Sequence, residues 1–145
     1  MQIPLFKPQT EWLPPENFPD LSKYDEIAID LETKDPELMK MGSGSIIGNG
    51  EVIGIAVATA HYKGYFPIAH EGGGNMDKKK VLEWFQDILK TSSTKIFHKA
   101  MYDISWIKSM GIKVNGRIVD TMIAASLVNE NRFRYDLGSL GWDRS

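Results

Sequence analysis

The sequence predicts a mixed α/β domain in which three short strands precede an alternation of helices and strands. Apolar, β-branched runs at residues 27–31, 52–58 and 64–68 are typical of strands, and no long helical pattern separates them. Apolar residues at helical spacing then appear over Asp77–Lys90, and strand-like runs alternate with helical ones beyond it. The resulting order is typical of a mixed sheet flanked by helices.

Length and composition limit the class of protein. A chain of 145 residues with 42% hydrophobic content can bury one core, and the absence of cysteine excludes disulfides, thiolate zinc sites and cysteine nucleophiles. The net charge of −2 is not the strongly basic balance common in nucleic-acid-binding domains, although an acidic metal site can offset a basic surface. No run approaches the ~18 apolar residues of a membrane span, and no signal peptide is recognisable. We therefore expect an intracellular, cytoplasmic protein without a membrane partner.

Residues 1–22 are predicted to form an extended lead-in, and residues 23–145 the folded domain. The lead-in holds five of the seven prolines, which favours extended chain over helix. Trp12 and Phe18 are the side chains expected to hold it against the domain.

The first predicted strand covers Ile27–Leu31, and its apolar character favours burial on both faces. Lys34–Gly50 is predicted to be a loop because it is rich in glycine, serine and charge. The second strand, Val52–Ala58, is apolar throughout and is expected inside the sheet. The short link His61–Lys63 favours a hairpin to a third strand over Gly64–Ile68.

The second half of the chain is expected to alternate helices and strands. Its predicted elements are a helix over Asp77–Lys90, a strand over Lys95–Phe97, a helix from Lys99 to Met110, a strand over Arg117–Asp120 and a helix from Thr121 to Val128. Gly111 suits the end of the middle helix.

Two acids end the first strand and are the first candidate site. Side chains alternate along a strand, so Asp30 and Glu32 share one face, with Cα atoms roughly 6.5–7 Å apart, and Leu31 points to the other. Like charges at the end of a buried strand cost free energy unless a cation or hydrogen-bond donors compensate. For the pair alone, a solvated strand end followed by a polar turn is the favoured interpretation, and a metal site is the alternative.

A third acid, Asp103, lies one turn into the helix that follows the Lys95–Phe97 strand. A residue there can lean over the carboxyl edge of the sheet, where ligands collect in such folds. Asp30, Glu32 and Asp103 could then converge on hard cations such as Mg²⁺ or Mn²⁺. The alternative for Asp103 is an ordinary first-turn acid favoured by the helix dipole.

Other polar residues favour structural interpretations. Asp120 is expected to cap the helix that begins at Thr121. His61 and His70 lie in loops without metal-ligand spacing. Gly72–Gly74 lacks the context of a nucleotide-binding loop and is interpreted as a hinge.

Together these motifs resemble the 3′–5′ proofreading exonuclease domain of the DEDD superfamily, most closely that of family A DNA polymerases. The first motif appears as Ile27–Thr33 with its Asp-x-Glu, and the second as His98–Asp103, which continues to Ile112. A third stretch, Val119–Ala125, is followed by Leu137–Leu140. The order and spacing of these motifs match the family from about residue 24 to residue 141.

The resemblance implies a ribonuclease H-like fold and a two-metal exonuclease. Asp30 would bridge two Mg²⁺ or Mn²⁺ ions, Glu32 would bind one and orient the attacking water, and Asp103 would support the second. The reaction would release nucleoside 5′-monophosphates from a single-stranded DNA 3′ end.

The resemblance also implies a set of substrate contacts. They are Leu31, Thr33, His98, Lys99 and Tyr102. His98 and Tyr102 have structural alternatives, as a histidine at the edge of the core and as a partly buried tyrosine. The family usually has asparagine at Lys99, where a lysine could pair with a phosphate or with the carboxylates.

One family feature is missing from the sequence. The expected Tyr-x-x-x-Asp helix with the fourth carboxylate does not follow Asp103, and only Asp136 and Asp143 remain near the end. We therefore expect the C-terminal part of the fold to be missing, as in a piece of a phage or viral polymerase whose polymerase domain lies in the same or a companion chain. The alternatives are a non-catalytic module of the same fold that binds single-stranded nucleic acid, and a related RNA-processing exonuclease.

Overall fold

The computed structural model describes residues 17–122 of the chain. Its strands are β1 (Glu26–Lys34), β2 (Glu51–Ala58), β3 (Lys63–Pro67), β4 (Thr94–Phe97) and β5 (Ile118–Asp120). Its helices are α1 (Leu38–Met41), α2 (Gly44–Ile47), α3 (Lys78–Lys90) and α4 (Ala100–Ser109). The five predicted strands and the first two predicted helices are confirmed within about three residues at each end.

The strands form one mixed sheet in the order β3-β2-β1-β4-β5. β1 lies at its centre, antiparallel to β2 and parallel to β4, while β2 and β3 form the predicted antiparallel hairpin. β4 and β5 are parallel, as strands joined through a helix usually are. The predicted mixed α/β architecture is confirmed.

β1 buries one face only, which corrects the expectation that both faces are buried. Ile27, Ile29 and Leu31 lie in the core, whereas Asp30 on the other face is exposed and Glu32 is half-buried. The reason is the alternation of side chains along a strand, which separates these acids from the large apolar residues. In the described residues, the acidic face of β1 is therefore accessible.

A single hydrophobic core lies between the sheet and the helices. The buried face of β1 and β2 packs with apolar residues of α3 and α4, including Phe85 and Trp106. α3 begins at the cap residue Asp77, whose carboxylate accepts hydrogen bonds from the backbone N–H groups of Lys79 and Lys80. Among residues 17–122, no helix is long and apolar enough to cross a membrane.

The described end of the lead-in, residues 17–22, is attached to α3. The ring of Phe18 stacks on Trp84 with centroids 5.5 Å apart, and the Trp84 indole N–H donates to the Pro19 carbonyl at 2.8 Å. The expected role of Phe18 is confirmed, whereas Trp12 lies outside the described residues.

The segment between β1 and β2 is more ordered than the predicted loop, because it contains α1 and α2. The Asp35 carboxylate accepts from the Gly44 backbone N–H at 3.0 Å, and Ser43 caps α2. A Cβ on Gly44 would lie 1.8 Å from the Asn49 carbonyl oxygen, so the turn requires glycine. These short helices depend on contacts with the rest of the fold, which the segment's composition does not reveal.

Several sequence predictions fall outside the described residues. They are most of the helix from Thr121 to Val128, the Leu137–Leu140 motif, Asp136 and Asp143.

Candidate active site

The candidate site begins with the two acids on the accessible face of β1. Asp30 is paired across the sheet with Ala56 of β2, whose small side chain leaves space beside the carboxylate. Partial loss of water raises the pKa of Asp30, and the nearby charge of Glu32 raises it further, while His98 acts in the opposite direction. The two carboxylates are therefore close enough to repel each other.

Asp103 reaches β1 because β4 is short. The pairing of β4 with β1 covers only Glu26–Ala28, and beyond it α4 begins and brings Asp103 beside β1. There the Asp103 carboxylate accepts a long hydrogen bond of 3.4 Å from the Leu31 backbone N–H. The structure thus brings Asp103 to the strand that carries Asp30 and Glu32, and the joint role of the three acids stays a prediction.

The environment of Asp103 disfavours its charge. Its side chain is only 3% exposed. Burial raises the pKa of Asp103 to about 7, the Leu31 hydrogen bond opposes this shift, and the charges of Asp30 and Asp120 add to it. A buried carboxylate whose neighbouring charges are also negative is stabilised by any cation that reaches it.

The donor set fits a hard divalent cation in its chemistry. Carboxylate oxygens are the ligands that Mg²⁺ and Mn²⁺ prefer, and the mutual repulsion of Asp30, Glu32 and Asp103 would fall when a cation binds. Within residues 17–122, no three acidic or histidine side chains are gathered closely enough to enclose an ion. Asp103 and the two acids of β1 therefore lie on neighbouring elements at the end of the strand.

Glu32 is held from the hairpin side of the sheet. The Tyr65 hydroxyl of β3 donates to Glu32 Oε2 at 3.0 Å and also contacts Nε2 of His70. Burial raises the pKa of Tyr65, and the Glu32 charge raises it further, so the phenol keeps its proton at neutral pH. Neither Tyr65 nor His70 was among the residues predicted for the site.

A glycine makes room for this contact. The Tyr65 ring lies over Gly54 of β2, and a Cβ at that position would lie 1.8 Å from the tyrosine oxygen. Gly54 is the cross-strand partner of Glu32, so the space over Gly54 that the tyrosine ring occupies lies directly beside the glutamate.

Thr33 and Tyr102 are brought together by the structure. Their hydroxyl groups lie 2.8 Å apart, and the Tyr102 hydroxyl also donates to Asp35 at 2.8 Å. Ser45 of α2 contacts Ser105 of α4 at 2.6 Å. These hydrogen bonds connect the segment after β1 to α4, next to the three acids.

Leu31 has its side chain in the core, 7% exposed, and contributes its backbone N–H to Asp103. His98 is exposed, and its Nδ1 lies 3.0 Å from the Thr121 hydroxyl. The role of each in substrate binding stays a prediction.

Lys99 is exposed and has φ +64°, the left-handed region that favours glycine and asparagine. Its backbone N–H and that of Ala100 donate to the Asp120 carboxylate at 3.1 and 2.9 Å. Asp120 also accepts from the Met122 N–H at 2.9 Å, as the sequence predicted for the following helix. Asp120 therefore accepts hydrogen bonds both from the start of α4 and from Met122, and only the contact with Met122 was expected.

The sequence contains a pattern that favours the position of Tyr65 over β2, but the pattern can be recognised only once the strand register is known. Gly54 and Ala56 are small residues two apart on β2, and Tyr65 is the partner of Ala56 on β3. Small residues on the face that carries the acids leave space for a large neighbour. His70 lies beyond β3, in a loop whose path the sequence does not define.

Comparison with known proteins identifies relatives of this arrangement. A model of the 3′–5′ exonuclease family of DNA polymerase A matches residues 7–140. A DNA-directed DNA polymerase of Pseudomonas phage M6 is 30% identical over 148 aligned residues, which cover 97% of this chain and 22% of the polymerase. DNA polymerase DpoZ of Salmonella phage PMBT28 is 28% identical over 125 residues, covering 85% of this chain and 18% of the polymerase. The chain thus spans about a fifth of the length of these curated relatives.

A solved structure shares the fold. NrnC of Brucella melitensis with bound Mg²⁺ has a TM-score of 0.51 to this chain at 18% sequence identity. The match covers 92% of this chain and 62% of that protein. It supports the ribonuclease H-like assignment of the mixed sheet.

Proposed function

The chain belongs to the 3′–5′ exonuclease domain family of family A DNA polymerases, and from this premise we propose that it removes nucleoside 5′-monophosphates from single-stranded DNA 3′ ends. The observation that carries the proposal is the approach of buried Asp103 to the strand that bears Asp30 and Glu32, although 72 positions separate it from Leu31, its hydrogen-bond donor.

Asp30, Glu32 and Asp103 would hold Mg²⁺ or Mn²⁺, with two ions expected. When bound, such ions activate water and stabilise charge on the leaving 3′-oxygen. Asp30 presents its carboxylate to the accessible face of the sheet, and the Leu31 N–H holds the buried Asp103 carboxyl beside it. In this proposal Glu32 would orient the water, and Asp103 would become charged when a cation binds.

The terminal nucleotide would lie over the end of β1. In this proposal Thr33 and Tyr102 contact its sugar or base, while His98 and Lys99 at the start of α4 contact phosphate. The backbone around Leu31 lines the same edge. His98 and Lys99 are exposed, which leaves both side chains available to an anionic ligand.

The polymerase relatives suggest the setting of this activity. Both phage relatives are named as DNA polymerases, and each is about five times as long as the matched region. We propose that the domain proofreads for a polymerase domain in the same or a companion chain, inside the cell.

A second candidate is a non-catalytic module that binds single-stranded nucleic acid. It is favoured by one observation, that no three acidic or histidine side chains of the described part of the chain enclose an ion site. The two candidates differ in whether nucleotides are released.

Release of nucleotides from a 5′-labelled single-stranded DNA oligonucleotide in Mg²⁺ tests the proposal. We expect stepwise shortening that requires the metal, falls at least 100-fold in Asp30→Ala, and stays unchanged in Asp25→Ala, which alters an exposed acid before β1. Binding without shortening would favour the non-catalytic module. Equal shortening by wild type and Asp30→Ala would refute the proposed site. A matched RNA oligonucleotide tests the preference for DNA.

A further inference from the structure

We propose that Tyr65 and His70 are positioning residues that fix the carboxylate of Glu32 for the exonuclease reaction, an inference that rests on the function proposed above. Neither belongs to the acidic motifs. Tyr65 reaches Glu32 from β3, and His70, in the loop after β3, contacts the Tyr65 hydroxyl.

The direction of the hydrogen bonds follows from the chemistry of the groups. An ionised carboxylate only accepts, so the single proton of the Tyr65 hydroxyl is directed to Glu32 Oε2. The tyrosine oxygen must then accept from His70, which requires the tautomer with its proton on Nε2. The result is a chain of two donors that ends on the glutamate.

The backbone of His70 is held by the side-chain amide of Asn75. Its N–H donates to Asn75 Oδ1 at 2.7 Å, and its carbonyl accepts from Asn75 Nδ2 at 2.9 Å. In the two residues before His70, the N–H groups of Ile68 and Ala69 both donate to the carbonyl of Ile53, at 2.9 and 3.1 Å. Ile53 is the extra residue of β2 at the point where the β1–β2 register shifts. The bulge therefore helps to place His70.

The sheet is built to admit the tyrosine. Tyr65 lies in the same cross-strand row as Asp30, with Ala56 between them. To reach Glu32 its ring crosses Gly54, where a Cβ would lie 2.3 Å from Cζ of the ring. Any larger residue at Gly54 would displace Tyr65 from its bond to Glu32.

Fixing Glu32 matters because a glutamate side chain has several rotatable bonds, whereas orienting the attacking water requires one particular position of its carboxylate. A hydrogen bond to Oε2 restricts the side chain and defines where its other oxygen lies. Partners of this kind, which hold a metal-binding carboxylate, typically change metal affinity or activity by about 10–100-fold when removed. Tyr65 acts here through Glu32 and has no assigned contact with DNA.

The test compares Tyr65→Phe with wild type by two measurements. Steady-state kinetics on single-stranded DNA should show kcat reduced about tenfold or more with KM unchanged, because Glu32 acts on the water and not on the nucleotide. A direct Mn²⁺ titration of the DNA-free protein should show metal affinity weakened about tenfold. Tyr62→Phe, a tyrosine at the other end of the hairpin, should match wild type in both.

His70 is tested by its own pair of variants. His70→Ala should lower kcat and Mn²⁺ affinity as Tyr65→Phe does, whereas His70→Gln should restore most of both, since its amide can replace the Nε2–H donor. Thermal denaturation curves should show that all of these variants are folded at the assay temperature.

The outcomes separate this inference from the function it rests on. If Asp30→Ala abolishes shortening but Tyr65→Phe keeps wild-type kcat and Mn²⁺ affinity, the positioning role is wrong and the exonuclease stands. If His70→Gln is as impaired as His70→Ala, the donor chain is wrong. If wild type releases no nucleotide, the proposed function fails first and the inference with it.

Discussion

At the scale of single residues, Lys99 has the least favourable backbone in the described chain. It is the one non-glycine residue of 17–122 with positive φ, and it lies between β4 and α4. The strain is offset by the bonds from its own N–H and that of Ala100 to Asp120. A left-handed conformation also explains why asparagine, which adopts it readily, is usual there in the family that the sequence resembles.

Lys99→Asn should therefore stabilise the protein. We expect the free energy of unfolding to rise by about 0.5–1 kcal/mol, and Lys99→Val to lower it by at least ~1 kcal/mol because a β-branched residue resists positive φ. Urea denaturation measures both. Lys113→Asn, at an exposed lysine without positive φ, should change stability by less than about 0.5 kcal/mol. A Lys99→Asn variant less stable than wild type would contradict the explanation.

The positions of the three acids in the strand and the helix were predictable from the sequence, and the hydrogen bond that Tyr65 makes to Glu32 was not. Asp30, Glu32 and Asp103 stand in local patterns that a strand period and a helix start can place. The bond between Tyr65 and Glu32 instead depends on strand register and on the space over Gly54. Neither property is local in sequence.

At the scale of secondary structure, the start of α4 depends on a carboxylate from outside the helix. Lys99 at its N-terminus provides no side-chain cap, and Asp120 at the end of β5 accepts from the first N–H groups instead. This contact joins α4 to β5 and holds the helix that carries Asp103.

Asp120→Ala should lower the free energy of unfolding by about 1–2 kcal/mol, the usual cost of losing a helix cap. Asp87→Ala, at an exposed acid inside α3, should cost less than about 0.5 kcal/mol. Thermal and urea denaturation of both variants test this. Equal stability of Asp120→Ala and wild type would show that water replaces the cap without loss.

Periodic elements were predictable at this scale, whereas α1 and α2 were not. The strands and long helices follow patterns of apolar residues that the sequence displays directly. α1 and α2 have four residues each, and their segment is held by Asp35–Tyr102 and Ser45–Ser105 contacts between residues 60 or more positions apart. Short helices without such partners are unstable in water.

At the scale of the whole molecule, the buried Asp103 contributes to how global stability varies with pH. The pKa of Asp103 is about 7 in the folded protein, against an ordinary value of 3.8. Between these values the folded protein holds a proton that the unfolded chain has lost, so metal-free stability falls as pH rises. The free energy of unfolding should decrease by about 2–4 kcal/mol from pH 4 to pH 8.

Chemical denaturation in EDTA should reveal this fall in wild type and a much flatter profile in Asp103→Asn. Millimolar Mg²⁺ should restore stability at pH 8, by about 2.7 kcal/mol when the ion is at 100 times its dissociation constant. It should have little effect at pH 5, where Asp103 is protonated. A wild-type profile parallel to that of Asp103→Asn would refute a raised pKa at this residue.

The two halves of the site also differ in how they must be assembled during folding. Glu32 and Tyr65 are 33 positions apart and lie on the first and third strands of one meander, β1–β2–β3. Leu31 and Asp103 are 72 apart, so their contact closes a much longer loop. During synthesis from the N-terminus, the hairpin can hold Glu32 before α4 exists. In the proposed site the helical half would therefore be completed last, and a chain stopped before residue 100 would carry an oriented glutamate without its buried partner.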